Sequence, residues 1–311
     1  MKTPLLLALA VAVATVGCTT RAVEHHRSAA LPAATVIALP TGSIPEGIAI
    51  RDAHAFVTSL ADGTVYRLDL LAGTHEVFGA PTGNTSVGIL ADPYQRLFVA
   101  EGRAGSVRVL DAYSGKTLAS YQLATDEPRF INDFTRLANA IYATDSFTPA
   151  LYKLPLGEDG ALPQQAEVER IPLHGIAYHE GFNANGIAPT PDGKALLVVQ
   201  TNAGLLYRVD PASGAATRVD IGDTELKGGD GLLLEGNTLY VVRNIPNTLA
   251  VLEVDADGTQ ARLKAELKDP GFDSPTTVAR FRDRLYLPNA RFTHTAPATA
   301  EFNVISLGYL P

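Results

Sequence analysis

Short runs of alternating apolar and polar residues fill most of the chain from about residue 34 onward. The runs are rich in β-branched and aromatic residues, and turns that contain Gly, Asp, Asn or Pro separate them. A period of two places side chains alternately on the two faces of a strand. Helical periodicity is essentially absent, so the pattern predicts an all-β fold built of short strands.

These strands recur in a larger repeating unit. Six similar segments begin at Glu46, Val87, Asn132, Asn185, Asp230 and Thr276, which gives spacings of 41, 45, 53, 45 and 46 residues. A period of this length is typical of propellers and solenoids. Each of the first five units has four strand-like runs, the sixth lacks its last run, and a spare run, TVIALP, precedes the first unit.

A closed ring accounts for both the missing strand and the spare one. We therefore predict a six-bladed β-propeller over residues 34–311, closed by an N-terminal strand, Thr35–Leu39, that pairs with Phe302–Leu307. This pairing would also cover a sheet edge that is otherwise open to aggregation. A pair of β-sandwiches would not explain six equivalent units.

The first residue of each unit is predicted to lie at one mouth of the central channel, where equivalent positions face one another. Four of the six residues there carry carboxylate or amide groups: Glu46, Asn132, Asn185 and Asp230. Buried carboxylates that lie close together repel one another, and a hard divalent cation such as Ca²⁺ would relieve the repulsion. Two alternatives stay open, namely Asp133 in place of Asn132 and Asn183 in place of Asn185.

Several short motifs occur in order at this blade spacing: PEG at Pro45–Gly47, ND at Asn132–Asp133, NANGI with PDG at Asn183–Gly193, and GDG at Gly229–Gly231. Together they resemble the SMP-30/gluconolactonase/luciferin-regenerating-enzyme superfamily over nearly the whole chain after residue 40. The resemblance implies a divalent metal held by Glu46, Asn185 and Asp230, with Asn132 close by, and it implies lactone hydrolysis. The chain departs from the family in having no Trp and in having GGDG in place of PDG.

The expected chemistry follows from these ligands. A bound Ca²⁺ would polarise a lactone carbonyl while a carboxylate accepts a proton from the attacking water. We assign that role first to Asp230 and second to Glu46. Asn244 and Asp145, in loops that should share the same mouth, are the predicted substrate contacts. The insertion at residues 174–184 is a predicted lid, in which Tyr178 and Phe182 would form an apolar wall or pack beneath the loop.

Composition narrows the classes of partner. Hydrophobic residues make up 46% of the chain, charged residues make up 19%, and the formal net charge is −8. No Lys or Arg run is present, which argues against a nucleic-acid partner because phosphate neutralisation needs clustered cations. We expect a monomer that acts on a small molecule, with a non-catalytic ligand-binding or sensor propeller, in which the metal is structural, as the alternative.

The N-terminus predicts export. Lys2 precedes an apolar run, Leu5–Ala14, that is too short to span a bilayer but suits a secretory signal peptide over residues 1–17. The only cysteine, Cys18, follows Thr15-Val16-Gly17, which resembles a bacterial lipobox. The prediction is a periplasmic or membrane-anchored lipoprotein with Cys18 lipidated and a tether over residues 18–33, and plain secretion is the alternative.

Overall fold

The computed structural model describes residues 35–310. These residues form six antiparallel four-stranded sheets, arranged as the blades of a β-propeller. Two short 3₁₀ helices, Gln165–Glu167 and Pro297–Thr299, lie between strands. The predicted fold class is therefore confirmed.

The strands follow the predicted repeat in chain order. After β1 (Thr35–Leu39), blade one contains β2 (Pro45–Arg51), β3 (His54–Ser59), β4 (Val65–Asp69) and β5 (Thr74–Gly79). Blade two contains β6 (Ile89–Ala91), β7 (Arg96–Ala100), β8 (Ser106–Asp111) and β9 (Thr117–Gln122). Blade three contains β10 (Ile131–Leu137), β11 (Ala140–Asp145), β12 (Ala150–Pro155) and β13 (Glu169–Pro172).

The second half of the chain repeats this order. Blade four contains β14 (Ala184–Pro189), β15 (Leu196–Gln200), β16 (Leu205–Val209) and β17 (Ala216–Arg218). Blade five contains β18 (Gly229–Glu235), β19 (Thr238–Arg243), β20 (Thr248–Val254) and β21 (Ala261–Leu267). Blade six contains β22 (Ala279–Phe281), β23 (Arg284–Asn289) and β24 (Phe302–Gly308), and β1 supplies its fourth strand.

The ring closes through β1, as the spare strand predicted. It pairs antiparallel with β24, in a register that places Thr35 opposite Ser306 and Leu39 opposite Phe302. Ile37 and Leu39 are buried in a cluster that also contains residues of blade one, whereas Val36, which precedes Ile37, and Ala38, between the two, are exposed. The alternation along β1 therefore seals blade six against blade one.

The hydrophobic core is divided among the interfaces between neighbouring blades. Phe98 of blade two and Ile141 of blade three belong to one cluster, and Val199 of blade four and Val241 of blade five belong to another. Each sheet thus buries side chains on both of its faces, which explains the near-continuous apolar runs of the middle strands.

The predictions for the signal peptide, Cys18 and the tether fall on residues 1–34, outside the described part of the chain. Between residues 35 and 310, no helix has the length and apolar character needed to cross a bilayer.

Candidate functional site

The six residues that begin the repeating units, here called the doorway residues, lie in a ring in which five of the six backbone carbonyls accept a hydrogen bond from a neighbouring blade. Asn132 O accepts a hydrogen bond from Gly88 N at 2.9 Å, and Thr276 O accepts one from Gly231 N at 2.8 Å. Threonine hydroxyls make equivalent bonds elsewhere in the ring. Thr276 Oγ1 donates to Glu46 O at 2.6 Å, and Thr144 Oγ1 donates to Asn185 O at 2.7 Å. Each of these bonds joins neighbouring blades, so blade contacts fix the position of the doorway backbone.

Four of the doorway residues, Glu46, Val87, Asn185 and Asp230, are followed by glycine because adjacent inner strands approach closely there. A Cβ atom on Gly186 would lie 2.1 Å from Asp230 O, and one on Gly88 would lie 2.4 Å from Asn132 O. Both distances are far inside van der Waals contact. The recurring glycine therefore marks the tightest part of the ring.

The four polar doorway residues also coincide with β-bulges. The pairing register of the inner strands shifts between Pro45 and Ile48, Ile131 and Phe134, Ala184 and Ile187, and Gly229 and Leu232. A bulge interrupts strict alternation and re-aims a side chain. The chain uses this device to direct Glu46, Asn132, Asn185 and Asp230 into the mouth of the channel.

These four side chains line a cavity of about 340 Å³ at that mouth, here called the mouth cavity. They are nearly fully buried, as is Asn244, which lines the same cavity. The remaining lining is Thr201 and Asn202 together with six apolar side chains: Leu60, Val87, Phe130, Phe182, Ile245 and Phe292. The cavity thus combines a buried polar group with an apolar wall, as small-molecule sites usually do.

Two oxygens of this buried group lack protein partners. Asn132 Nδ2 donates to Ser146 Oγ at 2.8 Å, which orients the amide and leaves Asn132 Oδ1 without a hydrogen bond. Glu46 Oε2 is also buried without a partner. The amide nitrogen of Asn185 donates to Thr201 Oγ1 at 3.0 Å. Unpaired buried oxygens are costly, so these atoms are suited to a ligand.

Asp230 is held by a neighbour from its own blade. Asn244 Nδ2 donates to Asp230 Oδ2 at 3.0 Å, and Asn244 Oδ1 accepts from the backbone nitrogen of Ile245 at 2.7 Å. Asn244 therefore orients the Asp230 carboxylate in addition to lining the mouth cavity.

The carboxyl groups of the channel lie close enough to perturb one another. Burial raises the pKa of Asp230 to about 7, the Asn244 amide acts in the opposite direction, and the charge of Asp133 raises the pKa further. Burial and the charges of Asp230 and Asp133 hold the pKa of Glu46 well above its usual range. None of the three forms an ion pair with a described Lys, Arg or His. The site therefore concentrates negative charge without a protein counter-charge.

The structure distinguishes the two members of each pair of alternatives that the sequence left open. Asn132 lines the mouth cavity, whereas Asp133 lies deeper, in a narrow part of the channel that Glu46, Asn185 and Asp230 also line. Asn183 points away from both spaces: its Oδ1 accepts from His179 N at 2.9 Å and its Nδ2 donates to His179 O at 2.8 Å. Asn183 thus shapes the loop, and Asn185 faces the site.

The other predicted contacts are placed differently. Asp145 Oδ1 accepts from the backbone nitrogens of Phe130, Phe147 and Thr148 at 2.9–3.0 Å, and Asp145 is not among the residues that line the mouth cavity. Its assignment as a substrate contact stays a prediction. Within the loop at residues 174–184, Phe182 lines the cavity, whereas the Tyr178 hydroxyl donates to Asp145 O at 2.8 Å.

Reasoning from the sequence missed most of the apolar wall. Phe130, Ile245 and Phe292 come from loops of different blades, and no local pattern links them.

A metal site made of His, Cys, Asp and Glu side chains would have been easier to find. Within the described residues, no group of three or more such side chains could hold a metal ion. The candidate metal ligands at the mouth cavity are instead the carboxylates of Glu46 and Asp230 together with neighbouring amide groups.

Stability should depend on pH because the carboxyl group of Asp133, a half-buried residue of the channel, is partly removed from water. Burial raises the pKa of its carboxyl group to about 7. The folded state therefore holds this proton more tightly than the unfolded state does, and the stabilisation present below pH 4 is lost as the pH rises through 7. We expect the free energy of unfolding of the chelated protein to fall by on the order of 2 kcal/mol from pH 5 to pH 8 for this group alone.

Urea denaturation of wild type and Asp133→Asn at the two pH values measures this contribution. Asparagine keeps an oxygen that can accept the hydrogen bond from Phe134 N, which Asp133 Oδ1 accepts at 2.8 Å. A pH dependence that is equally steep in the variant would show that Asp133 does not cause it.

Comparisons with known proteins support the propeller fold. A family model described as strictosidine synthase-like, N-terminal, matches residues 24–68, and no curated protein matches the chain. The Malassezia sympodialis allergen Mala s 1 is 15% identical, with a TM-score of 0.68 over 89% of this chain and 96% of that chain. Luciferin-regenerating enzyme is 16% identical, with a TM-score of 0.64 over 89% of this chain and 96% of that one.

A third solved structure is described as a calcium-binding protein, regucalcin from Agrobacterium tumefaciens. It is 18% identical, with a TM-score of 0.63 over 87% of this chain and 93% of that chain. At such identities the likeness is one of fold. The chain is a six-bladed β-propeller whose architecture is shared with luciferin-regenerating enzyme and regucalcin.

Proposed function

We propose that this protein is a divalent-metal-dependent hydrolase that opens a lactone in the mouth cavity, with Ca²⁺ as the metal. One observation carries the proposal. Two buried carboxylates without an ion-pair partner among the described residues, Glu46 and Asp230, lie beside amide groups where a cavity of small-molecule size meets the channel. The shared fold with a calcium-binding regucalcin supports the choice of metal.

The residues present fit such an ion. Glu46, Asn185 and Asp230 would hold it, with Asn132 close by. All four offer oxygen, which is the donor that Ca²⁺ prefers, and two carboxylates balance a divalent charge. The unpartnered Glu46 Oε2 and Asn132 Oδ1 are the atoms that such an ion would satisfy. When bound, the ion would supply the positive charge that polarises a lactone carbonyl.

Asp230 is the proposed general base. Asn244 Nδ2 donates to its Oδ2 and orients the carboxylate, which would accept a proton from water as the water oxygen bonds to the carbonyl carbon. The ring C–O bond then breaks, and the proton passes to the departing alkoxide, so that lactone and water give a hydroxy acid. Glu46 is the second candidate for the same role. The apolar wall excludes competing water from the cavity.

Calcium should stabilise the folded protein. A ligand that binds only the native state at 100 times its Kd adds about 2.7 kcal/mol, and a differential scan with and without chelator would show this as a shift in Tm. Glu46→Gln should reduce the shift because it removes one of two ligand charges. Glu169→Gln is a matched control, since Glu169 is an exposed residue of β13, outside the mouth cavity. An unchanged Tm at millimolar calcium would contradict the metal assignment.

Turnover tests the reaction itself. A panel of five- and six-membered lactones should be hydrolysed in the presence of calcium and not after chelation. Tight calcium binding with no turnover of any lactone would favour the alternative, a ligand-binding or sensor propeller with a structural ion. We also propose that the protein acts outside the cytoplasm, on the basis of the apolar run Leu5–Ala14.

A further inference from the structure

We infer that the substrate is an apolar lactone, in which the ring carries an alkyl or aryl group, and not a polyhydroxylated lactone of the sugar type. This inference rests on the proposed function and concerns the wall of the mouth cavity. Two observations support it. Large apolar side chains from separate blades meet at this cavity, and the polar side chains between them already make hydrogen bonds within the protein.

Three large apolar side chains of the wall are exposed to solvent. Phe182, Ile245 and Phe292 have exposed fractions of 39%, 62% and 44%, and all three line the mouth cavity. They come from the loop before β14, the loop after β19 and the loop after β23, so three different blades place an apolar group around one opening. Large exposed apolar side chains gathered in one place mark binding surfaces.

Phe182 is held in position by other rings. Its centroid lies 5.1 Å from that of Phe130 and 5.1 Å from that of Phe147, and Phe130 and Phe147 lie 5.4 Å apart. The Arg103 guanidinium lies 5.0 Å from the centroid of Phe147. Such packing restricts the rotamers of Phe182, so this part of the wall is formed before a ligand binds.

Each polar side chain of the wall already makes at least one hydrogen bond within the protein. Asn202 Nδ2 donates to Glu180 O at 2.6 Å, and Thr201 Oγ1 accepts from Asn185. Asn244 is bound at both ends of its amide, to Asp230 and to Ile245 N. A polyhydroxylated ring needs a hydrogen-bond partner for each hydroxyl that it buries, and a buried hydroxyl without one is costly. The wall therefore favours a hydrocarbon substituent.

A chain-length series tests this directly. Five-membered lactones with ring substituents of one, three, five and seven carbons should show kcat/KM rising about two- to four-fold per methylene until the cavity is filled. A polyhydroxylated five-membered lactone should be a poor substrate. Hydrolysis that is independent of chain length, or that favours the polyhydroxylated ring, would overturn the inference while leaving the proposed lactonase function intact.

Two variants test whether the dependence of kcat/KM on chain length arises at the apolar wall. Ile245→Ala should lower kcat/KM about five-fold for the seven-carbon substrate and much less for the one-carbon substrate, because only the longer chain reaches the rim. Leu118→Ala is the matched control: it removes an equal number of carbons from a side chain of β9 that is 51% exposed and lies outside the mouth cavity. Equal losses in the two variants, or equal losses for both substrates, would contradict the proposal.

Binding gives a readout that does not need catalysis. Five-membered lactams with the same alkyl series resist hydrolysis, and titration calorimetry should show their Kd falling with chain length in wild type and less steeply in Phe292→Ala. If no lactone is hydrolysed, the proposed function fails and the lactam series still decides the inference. Lactam binding without any dependence on chain length, or the absence of lactam binding, would overturn it.

Discussion

Asp230→Asn is expected to lower kcat for lactone hydrolysis by about 10²-fold or more, even with calcium at saturation. Asparagine preserves the shape and one oxygen, which can still accept the hydrogen bond from Asn244 Nδ2. It removes the proton acceptor and one negative charge. Steady-state kinetics across a calcium titration, with calorimetry to confirm occupancy, separate the loss of the base from the loss of the ion.

The matched control is Asp133→Asn. Asp133 also contributes a carboxyl group to the channel, but this residue is half-buried and lies below the mouth cavity without lining it. This variant should retain kcat to within a few-fold. If Asp230→Asn is as active as wild type, Asp230 is not the base, and a large loss in Asp133→Asn would transfer the role to the deeper residue.

Ile37→Ala should lower the free energy of unfolding by about 2 to 5 kcal/mol, because truncation of a buried aliphatic residue leaves a cavity. Ile37 is 2% exposed and packs between blades six and one. The packing that is lost lies at the interface that closes the ring. Within the sheet of blade six, β1 pairs only with β24.

Val36→Ala provides the control on the same strand. Val36 is 57% exposed, so its truncation should change the free energy of unfolding by less than about 0.5 kcal/mol. Urea denaturation of the two variants measures both values. Similar effects at the two positions would show that β1 is not held by its buried face, contrary to the closure described above.

The sequence predicted the architecture well because the repeat is a long-range signal. Six equivalent segments and one displaced strand, Thr35–Leu39, leave few alternatives once each run is recognised as a strand. Strand starts were less well predicted: β6 begins at Ile89 and β22 at Ala279, so Val87 and Thr276 precede their strands. The backbone carbonyls of both residues nevertheless accept hydrogen bonds from a neighbouring blade, from Thr58 Oγ1 and from Gly231 N respectively.

The site was predictable only in part, and the bulges explain why. Strict alternation cannot decide between Asn132 and Asp133, because the register shift between Ile131 and Phe134 lets both side chains reach the channel at different depths. The partnership of Asn244 with Asp230 joins the loop after β19 to β18 of the same blade, and its hydrogen bond depends on rotamers that no sequence pattern encodes. Loop residues such as Phe292 converge only after the ring has closed.

The backbone and the side chain of a doorway residue have different roles. Five of their six backbone carbonyls accept hydrogen bonds from a neighbouring blade, while the side chains of the four polar doorway residues line the mouth cavity. Val87 shows the separation: its carbonyl accepts from Thr58 Oγ1 within the ring, while its apolar side chain lines the mouth cavity. A carboxylate at this position would also disturb the apolar cluster between blades two and three, to which the 1% exposed Val87 belongs. The net charge of the mouth cavity can therefore change most easily at the four doorway positions whose side chains are already polar.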